Sequence, residues 1–226
     1  MTADPYVYPG STVLRNLPGL RDQAGLARYE YRATWLRRIE LYQSPVQGLF
    51  DLAHLCEVHR RLFQDVFDWA GELRTVSISK GSTTFFYGDW AMADQYVFGY
   101  LADGPLLHDG PITDEVFVAN ISELLARIND LHPFREGNGR AQRAFLDQVA
   151  GHSGRILSWR NASESENRIA SIQSSSTGSG KPFETMMSRV IELPLDGLSP
   201  FDDDVYVVGD HPPTVTNVPP RSQAGP

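Results

Sequence analysis

One stretch constrains this chain more than any other: His132-Pro133-Phe134-Arg135-Glu136-Gly137-Asn138-Gly139-Arg140-Ala141-Gln142-Arg143. Upstream of it, Phe117, Ile121, Leu124, Leu125, Ile128 and Leu131 recur at helical spacing and run into His132. Pro133 then stops the helix, because it lacks an N–H and restricts the residue before it. Downstream, Ala141, Phe145, Leu146 and Val149 begin a second apolar stripe, so Gly137-Asn138-Gly139 is expected to be the turn that opens a new helix.

A glycine turn at a helix start is built to hold an anion. Successive backbone N–H groups point into one concavity, and the first N–H groups of the helix have no internal partner and carry the positive end of its dipole. Arg140 and Arg143 lie three apart in the first turns, where positive charge costs about 0.3–1 kcal/mol each unless something negative is near. Their placement predicts a polyanionic ligand. Glu136 beside the same turn would repel that ligand, unless a hard divalent cation such as Mg²⁺ bridges the carboxylate and phosphate oxygens. Together these features predict a metal–nucleotide complex.

The stretch resembles the signature of the Fic (filamentation induced by cAMP) family, His-x-Phe-x-Asp/Glu-Gly-Asn-Gly-Arg-x-x-Arg, and matches it at every specified position. Looser likenesses flank it at Tyr8-Pro9-Gly10-Ser11, Phe50-Asp51-Leu52-Ala53-His54-Leu55 and Phe67-Asp68-Trp69-Ala70-Gly71-Glu72-Leu73-Arg74. The resemblance implies a mainly α fold, a Fic-type helical bundle with one β-hairpin, the flap, over the active site. It also implies AMP transfer from ATP to a hydroxyl side chain of a target protein, with pyrophosphate leaving.

What the resemblance implies for single residues follows the signature. His132 would be the general base, since an imidazole exchanges protons near neutral pH. Glu136 would hold Mg²⁺, Asn138 with the backbone of Gly137 and Gly139 would stabilise charge on the α-phosphate, and Arg140 and Arg143 would neutralise the β- and γ-phosphates. The flap would be residues 77–86, taking an extended piece of the target as an added strand along Ser77, Ile78 and Ser79. Phe85 or Phe86 would clamp the target or close over the nucleotide, and Lys80 and Gly81 would meet the nucleotide.

Three other readings share the motif. Death-on-curing kinases typically carry Lys where this chain has Gly139, which favours AMP transfer. A UMP or phosphocholine transferase differs only in the nucleotide pocket, and a non-catalytic nucleotide-binding module would lack His132 or Glu136. The resemblance extends to regulation. Many Fic proteins carry an inhibitory Ser/Thr-x-x-x-Glu-Gly/Asn helix, and this chain has no complete copy: Glu166-Asn167 follows Ala162 at the Ser/Thr position, and Ser188 to Glu192 is followed by Leu193. A separate small antitoxin supplying a glutamate to Arg143 is therefore expected, as in Fic toxins that modify type II topoisomerases such as DNA gyrase.

Composition narrows the class. In 226 residues, 41% hydrophobic and 21% charged, one substantial core fits better than two. A net charge of −8 argues against a nucleic-acid partner, which needs a basic stripe. No apolar run suits a membrane span and the N-terminus is not a signal peptide, so a cytoplasmic protein is expected, or an effector delivered into a host or recipient cell. Cys56 fits a helical pattern as a buried thiol. His54 and His59 are five apart, whereas a helical zinc pair needs four, and no His-Glu-x-x-His occurs; a zinc site is not expected.

In order along the chain, residues 1–20 read as a Pro/Gly-rich arm and 21–192 as the Fic domain. Asp22 caps a helix to Tyr42, with Leu26, Tyr29, Ala33, Leu36, Ile39 and Tyr42 as its apolar face. Asp51 caps Leu52 to Phe63 with Phe50 as a staple, residues 75–80 and 83–87 form the hairpin, and Ala91 to Leu101 is helical. Thr113 starts the motif's first helix, and Phe134 is expected to wedge into the core. Two helices, 163–174 and 182–192, follow, separated by a Ser/Gly break. Residues 193–226 are a Pro/Gly/acidic tail or linker with one short apolar run, Val205 to Val208, and a disordered end.

Overall fold

The computed structural model describes residues 4–80, 83–85, 88–108 and 110–192, of Lys80, Thr83 and Thr84 the backbone only. The tail, with the apolar run at Val205 to Val208, lies outside them, as do Gly81 and Phe86. In chain order the elements are α1 (Gln23–Gln43), α2 (Leu52–Phe63), β1 (Ile78–Lys80), β2 (Thr83–Phe85), α3 (Trp90–Asp94), a π-helical turn (Gln95–Gly99) and α4 (Tyr100–Asp103). There follow α5 (Asp114–Leu131), α6 (Asn138–His152), β3 (Ile156–Leu157), a 3₁₀ turn (Trp159–Asn161), α7 (Glu164–Thr177), α8 (Lys181–Val190) and β4 (Ile191–Glu192).

The helix starts follow local chemistry. Asp22 accepts from the Gly25 N–H, Asp51 from His54 and Thr113 from Val116, each satisfying one orphan donor of its helix. Ser163 and Glu166 form a reciprocal capping box on α7. Phe50 stacks on His54 with ring centres 4.9 Å apart and packs edge-on against Phe145, at a backbone φ of +56°.

The core is a helical bundle. The predicted stripe of α5 is buried at Phe117, Ile121, Leu124, Leu125 and Ile128, and that of α6 at Ala141, Phe145, Leu146 and Val149. α5 packs on α8 and α6, and α2 packs on α1 and α6. The N-terminal arm lies along the bundle through buried Tyr6, Val13 and Leu14, with a single bridge pairing Val7 and Leu14.

Several expectations need correction. On α1, Leu26 is buried as expected, but Tyr29, Leu36 and Tyr42 are exposed, and Thr34 and Leu41 are buried in their place. The buried face also carries Glu30 and Arg38, which meet Arg140 and Asp147 of α6; it escaped an apolar pattern because half of it is polar. α7 continues three residues past the predicted break, to Thr177, before Gly178 closes it at φ +64°. α8 stops at Val190, and Ile191 and Glu192 pair antiparallel with Leu157 and Ile156 as β4 against β3. The helix after the hairpin contains the π turn, placing Val97 and Phe98 in the core.

Candidate active site

Three elements converge on the predicted stretch. His132 caps the C-terminus of α5 in the left-handed conformation, φ +43° and ψ +58°, so its side chain turns out of the helix line. Its N–H still bonds Ile128, and its Nδ1 lies 3.3 Å from the Asn129 carbonyl. A carbonyl at Nδ1 makes that nitrogen the protonated one and leaves the lone pair on Nε2.

The hairpin covers this histidine. β1 and β2 pair antiparallel with Ile78 opposite Phe85 and Ser79 opposite Thr84, and the Phe85 ring stacks on His132 with centres 4.1 Å apart. Phe85, one of the two candidate clamps, therefore covers His132, and Phe86 lies outside the described residues. Ser77 and Ser79 are exposed, with Ile78 half-buried between them, as an alternating strand requires. Arg74, wholly buried, ties the hairpin base to the motif: its Nε donates to the His132 carbonyl at 2.8 Å and its Nη1 to the Val76 carbonyl at 2.7 Å. Burial lowers its pKa, but a guanidinium stays charged.

Between α5 and α6 the chain makes a tight loop. Phe134 is buried in the core as expected. Gly137 sits at φ +82°, and a Cβ there would come within 2.3 Å of the Phe63 ring, so only glycine fits. A Cβ on Gly139 would meet nothing within 4 Å. That open space lies over the start of α6, where the N–H groups of Asn138 and Gly139 have no acceptor among the described residues. These donors suit an oxyanion from outside the chain.

Asn138 has a part in the loop that was not expected of it. Its buried side chain accepts from the Phe134 N–H at 2.9 Å and donates to the Phe134 carbonyl at 2.7 Å. The amide holds the loop's shape, and the backbone N–H groups of Asn138 and Gly139 are the donors left at the start of the helix.

The charge pattern is also partly answered within the protein. Arg140 pairs with Glu30 of α1, lies over the Phe63 ring at 4.7 Å, and has Glu136 at 3.9 Å. Asp147, one turn beyond Arg143, bonds Trp159 and Arg38; burial raises its pKa against the pull of Arg38 and Arg143. The Glu136 carboxylate is about half exposed and folds back to accept from the Gly137 N–H at 2.9 Å. A carboxylate oxygen thus already rests against the loop that is suited to phosphate. The arm is pinned to the same loop by Arg135 and Asp4 at 2.8 Å.

One residue that sequence reasoning passed over stands directly behind the loop. His59 of α2 has no exposed surface, bonds the Glu136 carbonyl through Nε2 at 3.0 Å, and accepts the Gly71 N–H at Nδ1 at 2.8 Å. Burial, against the help of that carbonyl, brings its pKa down to about 3. Its only sequence signal was a place on the apolar face of α2. Burial likewise pushes the Cys56 thiol up to about 12, leaving it inert. A cavity of about 560 Å³ along the later turns of α6, with Arg38, Phe50, Asp147 and His152 in its lining, holds no residue of the motif.

A helical bundle with a glycine loop at a helix start, a histidine before it and a hairpin over that histidine is the arrangement of a nucleotide-handling transferase fold. The Fic/DOC family profile matches residues 49–150. The chain is 42% identical over 165 residues to the probable protein adenylyltransferase Fic of Salmonella typhimurium, covering 70% of this chain and 77% of that one. It is 37% identical over 196 residues to the protein of the same name from Escherichia coli K12, covering 83% and 92%. The chain belongs to the Fic/DOC family. The crystal structure of BepC, a translocated effector of Bartonella tribocorum with bound AMPPNP, shares the fold at a TM-score of 0.74 and 23% identity, over 84% of this chain and 97% of that one.

Proposed function

We propose that this protein is a protein adenylyltransferase that moves AMP from ATP to a hydroxyl side chain of a target protein. The carrying observation is the juxtaposition of His132, held under the hairpin, with a helix-opening loop whose Gly139 leaves open space over unpartnered N–H groups. The relatives from Salmonella and Escherichia coli bear the name of this activity, and ATP is the matching co-substrate.

In this reading the target hydroxyl oxygen attacks the α-phosphorus, its proton passes to Nε2 of His132, and the bond to the β-phosphate oxygen breaks to release pyrophosphate. The Gly137, Asn138 and Gly139 N–H groups receive the charge growing on the α-phosphate oxygen, where one lost donor costs about 10²–10³-fold. Arg140 and Arg143 hold the outer phosphates and so fix which phosphorus faces the hydroxyl. Glu136 must leave the Gly137 N–H for the nucleotide to enter. Its exposed carboxylate is the protein group suited to hold Mg²⁺, which would offset phosphate charge. No cluster of three metal-ligating side chains occurs among the described residues, so the remaining ligands would be phosphate and water oxygens.

Two partners complete the reading. An extended target segment adds to the hairpin edge, registered by main-chain bonds along Ser77 to Ser79. A small separate protein, antitoxin-like, supplies a glutamate to Arg143. In support, the chain's own candidates are committed elsewhere: Glu166 to Ser163 and Arg189, Glu192 to Asn161 and Arg160. A type II topoisomerase is the target class we would examine first.

The test uses ATP labelled at the α- or the γ-phosphate, with Mg²⁺ and a bacterial lysate. Protein bands labelled from the α position only, and lost in His132→Ala, are expected. Label from the γ position would make the protein a kinase and overturn the reading.

A further inference from the structure

Among the described residues His59 is the one histidine with no exposed surface, and the reaction above gives it no proton to carry. Its ring stacks on Phe134, with centres 3.9 Å apart, and on Phe63, 4.6 Å away. Stacking fixes the ring plane, and the two ring nitrogens then point at fixed backbone groups. The Gly71 N–H can only donate, so Nδ1 must accept and the proton sits on Nε2, which donates to the Glu136 carbonyl.

That bond has a consequence on the other side of the peptide. The described peptide bonds are trans, and in a trans unit the C=O and the following N–H point in opposite directions. Drawing the Glu136 carbonyl toward the core turns the Gly137 N–H outward, to where the Glu136 carboxylate now accepts it at 2.9 Å. Gly71, the second partner, lies in the segment leading to Arg74 and the hairpin. His59 therefore joins the loop and the base of the hairpin through a single rigid ring.

We propose that His59 is a positioning residue for AMP transfer: its Nε2–H, held in register by Gly71 at Nδ1, aims the Gly137 N–H at the oxyanion that develops on the α-phosphate. The proposal rests on the AMP-transfer reading. It assigns the histidine neither a proton to transfer nor a contact with substrate, and it differs from plain core packing in depending on one ring nitrogen.

Three variants separate these roles. In His59→Gln the side-chain amide N–H reaches about where Nε2–H sits, in His59→Asn the amide oxygen replaces only Nδ1, and His59→Phe keeps the stack without either bond. With α-labelled ATP and a labelled target, Asn and Phe are expected to lower kcat by about 10²-fold with the KM for ATP little changed, and Gln to recover most of it. In ¹⁵N–¹H spectra of the nucleotide-free protein, the Gly137 amide should shift in Asn and Phe and stay near its wild-type position in Gln. Gln no better than Asn, or kcat that simply follows melting temperature across the variants, would overturn the proposal. The comparison of Gln with Asn stands if Phe does not fold. If wild type transfers no label, the AMP-transfer reading falls and the catalytic half of this proposal with it, while an unshifted Gly137 amide in Asn refutes the aiming itself.

Discussion

The loop between α5 and α6 has two faces that obey different rules. The inner face, Phe134, Gly137 and Asn138 against His59 and Phe63, is buried, and the side chains of Asn138 and His59 have hydrogen-bond partners there. The outer face, Glu136 and Gly139, is exposed, with open space over Gly139. Within one short loop, shape is set from behind and chemistry is offered in front. Substitutions behind should cost folding and activity together, and substitutions in front should cost activity alone.

The largest contrast lies between the two glycines. Gly137→Ala combines a left-handed backbone with a contact on Phe63 that cannot be relieved by a flexible side-chain end, and is expected to cost about 3 kcal/mol or more and to abolish transfer. Gly139→Ala should leave stability within about 0.5 kcal/mol while weakening nucleotide binding. Denaturant titration and ATP affinity, measured on both, read the contrast; an equally unstable Gly139→Ala would erase it.

A second contrast pairs neighbours. Asn138→Ala removes both bonds to the Phe134 backbone and should cost about 2–3 kcal/mol, roughly 5–10 °C in Tm. Glu136→Ala should melt near wild type and lose Mg²⁺-dependent transfer. Calorimetry with the labelled-ATP assay distinguishes them.

Acid tests the inner face next. His59 has its pKa depressed to about 3 in the folded protein against 6.5 unfolded, so below pH 6.5 the unfolded chain binds a proton that the folded one does not. Its contribution is complete above pH 6.5 and is lost as pH falls toward 3, at up to about 1.4 kcal/mol per pH unit. On the order of 2 kcal/mol should go between pH 6.5 and 5, and His59→Gln should flatten that slope in urea midpoints. The smallest effect is at the rim: Asp4→Asn breaks a partly exposed pair with Arg135 and should change stability by less than about 1 kcal/mol.

Where sequence reasoning succeeded, the information was local. The caps Asp22, Asp51 and Thr113, the stop at Pro133 and the stripes of α5 and α6 depend on residues within a few positions of each other. It failed where a distant partner decides. The face of α1 departs from the apolar pattern because Glu30 and Arg38 are held partly buried by charges on α6, which such a pattern cannot register. The bonds of the Asn138 amide to Phe134 span only four residues, but they depend on a loop geometry that the string does not show. His59 enters the sequence reading only as a rejected zinc ligand, because its two backbone partners lie 12 and 77 residues away.

The sequence by itself determined the family, the two motif helices and the glycine turn between them, since periodicity, caps and turn residues act over a few bonds. Only the tertiary structure decided which donors remain for an anion, which counter-charges Arg140 carries and what holds the loop from behind. Those depend on side chains brought together by packing across the bundle, where burial and geometry, not neighbours in the chain, set the energy of each polar group.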